Sequence, residues 1–328
     1  NIPYYVSEKN FGKLLVIYTP AIPKTHKQYN YLTEKKFPVY KRSEVLGLIA
    51  QSHFTVAVAG THGKTTTSSI IAHLLQEGRI NTTAFLGGIS NNINSNFLLG
   101  SFKQSDHTIV IEADEFDRSF LTLFPNIAIV TSVDADHLDI YNTKAAMVEG
   151  FQQFVKQINK TGLLITKPEL VNYFEHKNIS TYGIDDGSDY CAKNIRVINH
   201  KYVFDMVTPK GEFKNVEFGL PGKHNIENSL AAVCVAENME MNPEKIREAL
   251  KSYKGVKRRF DVRFENEKIT YIDDYAHHPT ELDAIIQSVK ELYPAYNLMG
   301  IFQPHLFSRT RDFADDFATS LSQLDDLL

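Results

Sequence analysis

TVAVAGTHGKTTTSSIIAHLL, residues 55–75, runs an apolar strand into a glycine-lysine-threonine turn and straight on into a helix. Gly60 and Gly63 permit backbone angles and close approaches that a Cβ would obstruct, so successive N–H groups can face an anion. The helix that follows points its positive end at the same place. Lys64 supplies a charge suited to β- and γ-phosphates, and the Thr65 hydroxyl suits Mg²⁺. Thr61, His62 and Thr66 complete the turn. The spacing is shorter than the common GxxxxGK[ST], because Val58 stands five places before Gly63. Glycine and threonine also make ordinary strand-to-helix turns, but here the strand before, the helix after and the Lys-Thr pair between them agree on a phosphate loop.

Outward from this loop, strand-like runs recur at 108–112 (TIVIE), 127–133 (IAIVTSV) and 162–166 (GLLIT). Met147, Phe151, Phe154, Val155 and Ile158 fall on one helix face between the last two. Strand and crossover helix in repetition predict a mostly parallel sheet covered on both faces. From 187 to 219 the texture changes to alternating strands with turn signals, an antiparallel flank. Helices are expected at 225–238 and 243–253, with a boundary near Gly255. A hairpin (261–273), a helix from Pro279, a strand (297–302) and a helix (311–323) follow. Upstream, 13–22 reads as a strand and 43–51 as a helix with Ser43 at its N-cap. The glycine- and asparagine-rich stretch 87–100 reads as a loop, either ligand-contacting or plain. The expected fold class is therefore α/β: a central P-loop domain with an antiparallel flank, then the first part of a Rossmann-like α/β domain.

A phosphate loop calls for a metal site, and two strands end in acids. TIVIEADEFD delivers Glu112, and IAIVTSVDADHLDIY delivers Asp134, Asp136, His137 and Asp139, at strand ends where ligands of open α/β sheets collect. Asp114, Glu115, Asp117 and Asp139 equally suit helix caps or solvated turns.

Composition narrows the partners. With 35 basic and 39 acidic residues well mixed and a net charge of -4, the 328-residue chain has no broad basic field for nucleic acid. No apolar run approaches the ~20 residues needed to span a bilayer. Cys191 and Cys234 stand far apart without ligand spacing, which fits a reducing, cytoplasmic setting. The oligomeric state leaves no mark in the sequence.

GTHGKTTT, EADEFDRSFL, TSVDADHLDIY, GKHNIENSLAA, YIDDYAHHPTEL and FQPHLFSRTRDF, in this order, resemble the Mur ligase family, from about residue 13 to the end. Within it the nearest likeness is to members that join L-alanine to the carboxylate of UDP-N-acetylmuramate in peptidoglycan synthesis. The sister enzyme that recycles murein peptide is similar through the loop and EADE. The resemblance implies an ATP-dependent acid–amino-acid ligase working through an acyl phosphate, with two Mg²⁺ ions held by Thr65 and by Glu112 with His137. It implies that Lys64 and Arg259 act on the phosphates, that Asn225 and Asn228 read adenine, and that Asp274 binds ribose. Capping of a helix start suits the two asparagines as well, and a solvated charge suits Arg259. The resemblance further puts Tyr275, His277, His305 and Arg309 near the incoming amino acid, with an arginine clamping its carboxylate. Adjacent His277 and His278 do not read as a zinc pair, since no further spaced ligand accompanies them. The expected division is 1–46, a remnant of a UDP-binding domain; 47–256, the ATP-binding domain; and 257–328, a partial C-terminal domain. On that division the chain is expected to be part of a longer ligase. A nucleotide switch without ligation and a small-molecule kinase are the competing readings.

Overall fold

The computed structural model describes residues 14–23, 25–103, 106–134, 143–185, 187–304 and 307–328. Its chain starts with a short parallel pair, β1 (Val16–Tyr18) and β2 (Val39–Lys41), around α1 (Lys27–Glu34), followed by α2 (Arg42–Ala50). Ser43 is not the N-cap of α2. Lys41 holds that position, and its N–H donates to Glu44 Oε2 at 2.6 Å. A carboxylate three places into the helix satisfies the first amide better placed than the serine, which sits inside the turn.

A ten-stranded sheet fills the centre. Along the chain its elements are β3 (Phe54–Ala59), α3 (Lys64–Glu77), β4 (Thr82–Ser90), β5 (Ser95–Leu98), β6 (Thr108–Glu112), β7 (Ile127–Val130), α4 (Lys144–Lys156), β8 (Leu163–Thr166) and β9 (Ile179–Ile184). The meander β10 (Tyr190–Ile198), β11 (Lys201–Thr208) and β12 (Gly211–Glu217) completes it. The order is β12-β11-β10-β9-β8-β7-β3-β6-β4-β5. Pairing is parallel from β10 to β4 and antiparallel at both margins; the change of sequence texture at 187 predicts the β10–β12 margin, not the β4–β5 one.

β3 lies between β6 and β7, with Val56 opposite both Val110 and Ile127. Burial on both faces explains its unbroken apolar run. Val56 and Val58 pack with Ile70 and Leu74 of α3 on one face. Ala57 and Ala59 pack with Phe120, Phe151 and Phe154 on the other. The crossover through α3 carries the chain to β4 on one side of β3, while β7 lies on the other. The carboxyl ends of β3, β6 and β7 therefore border a crevice at the switch point.

The stretch 87–100 is not a loop. Its ends belong to β4 and β5, paired Phe85 to Phe97 and Ser90 to Ser95 across an irregularity. Its asparagines are held by distant backbone: Asn91 N–H donates to Gly255 O at 2.9 Å, and Asn92 Nδ2 to Ser252 O at 3.1 Å.

α5 (Lys223–Asn238) and α6 (Pro243–Ser252) pack beside α3. The chain then enters the hairpin β13 (Asp261–Glu265) and β14 (Thr270–Asp273), α7 (Pro279–Leu292), β15 (Met299–Gly300), α8 (Phe307–Asp312), α9 (Ala314–Leu321) and β16 (Asp326–Leu327). The expected strand 297–302 shrinks to β15, and the expected helix 311–323 divides at Phe313, whose φ of -117° departs from helical geometry. α7 is anchored to the central sheet: Tyr202 OH donates to Glu291 Oε2 at 2.7 Å, and His200 Nδ1 lies 2.8 Å from Leu292 O.

Candidate active site

The loop after β3 works because two residues have no side chain. Gly60 has φ +133°, and a Cβ there would stand 2.1 Å from Thr131 Oγ1. Gly63, at φ +82°, ends the turn and caps α3 without a side-chain bond, so the amides of the first helical turn keep their donors for an anion. The strand end of β7 buttresses the turn. His62 N–H donates to Ser132 Oγ at 2.9 Å, Thr61 N–H to Ser132 O at 3.2 Å, and Thr131 Oγ1 to His62 O. Thr61 Oγ1 shares a hydrogen bond with Ser132 Oγ at 2.8 Å. Thr66 is buried within the first turn of α3.

Lys64 Nζ donates to Gly60 O at 2.7 Å and lies 2.9 and 2.7 Å from the two carboxylate oxygens of Glu115. Glu115 is wholly buried. Burial pushes its carboxyl pKa up, against the opposing pull of the Lys64 ammonium. It stands at the N-cap position of the 3-10 turn Phe116–Thr122, but its side chain makes no capping bond and pairs with Lys64 instead. Its neighbour Asp114 does take such a role, accepting from Phe116 N–H at 3.1 Å.

Glu112 closes β6. Thr65 Oγ1 donates to its Oε1 at 3.0 Å, and Gly87 N–H donates to its Oε2 at 2.7 Å. Burial raises this carboxyl pKa too, with Lys64, Thr65 and the Gly87 amide acting in the other direction. A Cβ on Gly87 would stand 2.3 Å from both carboxylate oxygens, so glycine there leaves room for the acid. Among the described residues no group of three or more His, Cys, Asp or Glu side chains forms a metal cage. Thr65 and Glu112 nevertheless offer two adjacent hard oxygens, the donors Mg²⁺ takes while retaining water. His137 and His305 lie outside the described residues.

Asn225 and Asn228, both buried, line the other side of the loop. A Cβ on Gly63 would stand 2.8 Å from Asn228 Oδ1, and Asn228 Nδ2 donates to Asn225 Oδ1 at 3.4 Å. Neither caps α5, since Gly222 is its N-cap and Asn225 Nδ2 donates to Pro221 O. Asp274 accepts from Phe260 N–H and Ala276 N–H, each at 2.7 Å, so it also fixes the backbone where the hairpin leaves the linker. Burial raises its carboxyl pKa; those two amides and the nearby half-buried Arg259 oppose the rise.

The third wall comes from α7 and the turn before it. His277 N–H donates to Glu281 Oε2 at 3.0 Å, its Nδ1 lies 2.8 Å from Tyr275 O, and the Tyr275 ring lies 5.0 Å from its own. Glu281 Oε1 lies 3.4 Å from His62 Nδ1. Burial alone would raise the Glu281 carboxyl, but hydrogen bonds from His62 and the His277 amide, together with the two imidazoles, hold it at about 2. His278 caps α7, accepting from Thr280 N–H at 3.3 Å. Arg309 is half-buried in α8. Nothing in the sequence singles out Glu281; an acid at N3 of a helix that starts with proline reads as ordinary capping.

Amides, one ammonium and one hydroxyl converge at the carboxyl end of β3, which defines an α/β protein with a P-loop-like turn that faces the hairpin and α7. Residues 58–236 match the Mur ligase middle domain, and residues 258–328 match the Mur ligase, glutamate ligase domain. The chain belongs to the Mur ligase family. It is 53% identical over 314 residues to the UDP-N-acetylmuramate--L-alanine ligase of Flavobacterium psychrophilum, covering 96% of this chain and 68% of that protein. It is 45% identical over 318 residues to the enzyme of the same name from Porphyromonas gingivalis, covering 96% and 69%. The solved structure of UDP-N-acetylmuramate-alanine ligase from Thermotoga maritima superposes with a TM-score of 0.81 at 27% identity, over 95% of this chain and 70% of that one. No helix of the described residues is long and apolar enough to cross a membrane.

Proposed function

We propose that this protein joins L-alanine to the carboxylate of UDP-N-acetylmuramate at the expense of ATP, in peptidoglycan precursor synthesis. The observation that carries this reading is the Lys64, Thr65 and Glu112 constellation at the loop, found in a chain 53% identical to a ligase of that name. The substrate carboxylate oxygen attacks the γ-phosphorus, the bond to the β-phosphate oxygen breaks, and ADP leaves. The amine nitrogen then attacks the acyl phosphate carbonyl, expels phosphate and gives up a proton. Loop amides and Lys64 stabilise charge on the transferring group. Mg²⁺, held by Thr65 and by Glu112 with His137, would neutralise phosphate and carboxylate oxygens. The adenine edge is assigned to Asn225 and Asn228, since an amide carries both donor and acceptor. Arg259 and Asp274 serve phosphate and ribose; Tyr275, His277, His305 and Arg309 serve the amino acid. We assign these roles across three units, 1–46, 47–256 and 257–328.

The test is phosphate release from ATP with each substrate omitted in turn. Release that requires both UDP-N-acetylmuramate and L-alanine supports ligation. Release without the amine would make the protein a kinase or hydrolase, and ADP binding without any release would leave a nucleotide module. Preference for a murein tripeptide over L-alanine would move it to the recycling branch.

A further inference from the structure

The Lys64 ammonium is held by protein groups: it donates to Gly60 O at 2.7 Å and to Glu115 Oε1 at 2.9 Å, with Glu115 Oε2 in ion-pair contact at 2.7 Å. Glu115 cannot easily follow the lysine. Its own carbonyl accepts from Arg118 N–H at 3.0 Å, and the 3-10 turn it opens carries Phe120 into the core. Removing one member of a buried ion pair leaves the other charge uncompensated. A polyphosphate in the loop and Glu115 are then rivals for one cation.

We propose that Glu115 is a positioning residue that sets the loop's nucleotide affinity, holding Lys64 as a counter-ion that phosphate oxygens displace and that recaptures the ammonium when ADP leaves. This rests on the reading that the loop takes ATP. The trade has a direct consequence. Glu115→Gln keeps shape and one acceptor but deletes the charge, so Lys64 is left wanting an anion and ADP supplies it. Glu115→Asp keeps the charge on a shorter arm and loosens the pair without abolishing it.

The experiment is calorimetric titration of ADP at fixed magnesium into wild type, E115Q, E115D and the pair K64A and K64A/E115Q, with thermal melts with and without ADP. We expect E115Q to bind ADP about tenfold more tightly and E115D a few-fold more tightly. E115Q should melt lower than wild type without ADP and gain more from saturating ADP. In the K64A background, adding E115Q should leave ADP affinity unchanged or nearly so. If E115Q does not fold, the E115D titration decides. Equal or weaker ADP binding in the folded variants, with wild type binding normally, overturns the proposal. So would an equal gain in affinity when Lys64 is absent, since general relief of repulsion would then suffice. Failure of wild type to bind ADP would overturn the ATP reading itself and this inference with it.

Discussion

The loop wall and the wall built by residues 258–328 reach the same crevice by different means. On the loop side, Val56 to Ala59 are fully buried, and the side chains pair as Lys64 with Glu115 and Thr65 with Glu112 at the ends of two adjacent core strands, β3 and β6. On the other side, the β13–β14 hairpin leaves Phe264 and Tyr271 more than half exposed, and α7 reaches the loop through Glu281 and His62. The loop-side groups are thus fixed by the core, while those of the far wall depend on a contact between folding units. Rigid placement suits transition-state charge, which tolerates little misplacement; a contact made through side chains can open and close around substrates.

The strongest way to break this contrast is Lys64→Ala. On the loop side it removes the only loop cation and leaves Glu115 buried without it, so phosphate release should fall at least ~10³-fold and the melting temperature should drop as well. Retained turnover in a steady-state phosphate assay would mean that the second wall supplies the charge.

Gly87→Ala sharpens it. The new Cβ would meet the Glu112 carboxylate at 2.3 Å and push it off the Thr65 hydroxyl. A misplacement of about 1 Å costs on the order of 10²-fold in rate, so kcat should fall by about that factor while ADP affinity changes little. A variant that lost ADP binding and kept kcat would show Glu112 serving nucleotide affinity instead.

Glu281 tests the second wall by pH. Its folded pKa of about 2 lies below the ordinary carboxylate value of 4.5. Its stabilisation is therefore present above the ordinary range and is lost as pH falls from about 4.5 through about 2. Glu281→Gln should lower stability at neutral pH by about 2 kcal/mol and flatten the acid limb of a melting-temperature profile. An unchanged acid limb would mean that the imidazoles do not hold this carboxylate.

What was readable in the sequence divides along the same line. The phosphate loop, β3, β6, β7 and the α4 face were legible because apolar runs and a glycine-lysine-threonine turn are local signals. Glu115 was not, because its role comes from a lysine 51 positions away, and an acid after a strand looks the same whether it caps a turn or pairs with a buried cation. Glu281 hid in the same way behind its place in the first turn of α7. The β4–β5 arm read as a loop because Asn91 and Asn92 find their partners around residue 254, some 160 positions on. Glycine and asparagine announce a turn locally and say nothing of what they clasp.

That clasp sets the smallest expected effect and the most direct check on the contrast. Asn92 Oδ1 accepts from Lys254 N–H at 2.8 Å, its Nδ2 donates to Ser252 O at 3.1 Å, and Asn91 Nδ2 donates to Lys254 O at 3.1 Å. The loop-side sheet thus grips the linker just before it enters the second wall. Asn92→Ala removes two of these bonds, while the main-chain pairs Asn91 to Gly255 and Lys257 to Ile89 persist. About 1–2 kcal/mol should be lost in all. If the linker's job is to present the second wall, KM for L-alanine should rise about two- to fivefold at unchanged kcat, since uniform binding is what weakens. A fall in kcat at unchanged KM would instead place the linker on the chemical side, and the separation between a wall fixed by the core and a wall fixed by contact would fail at its narrowest point.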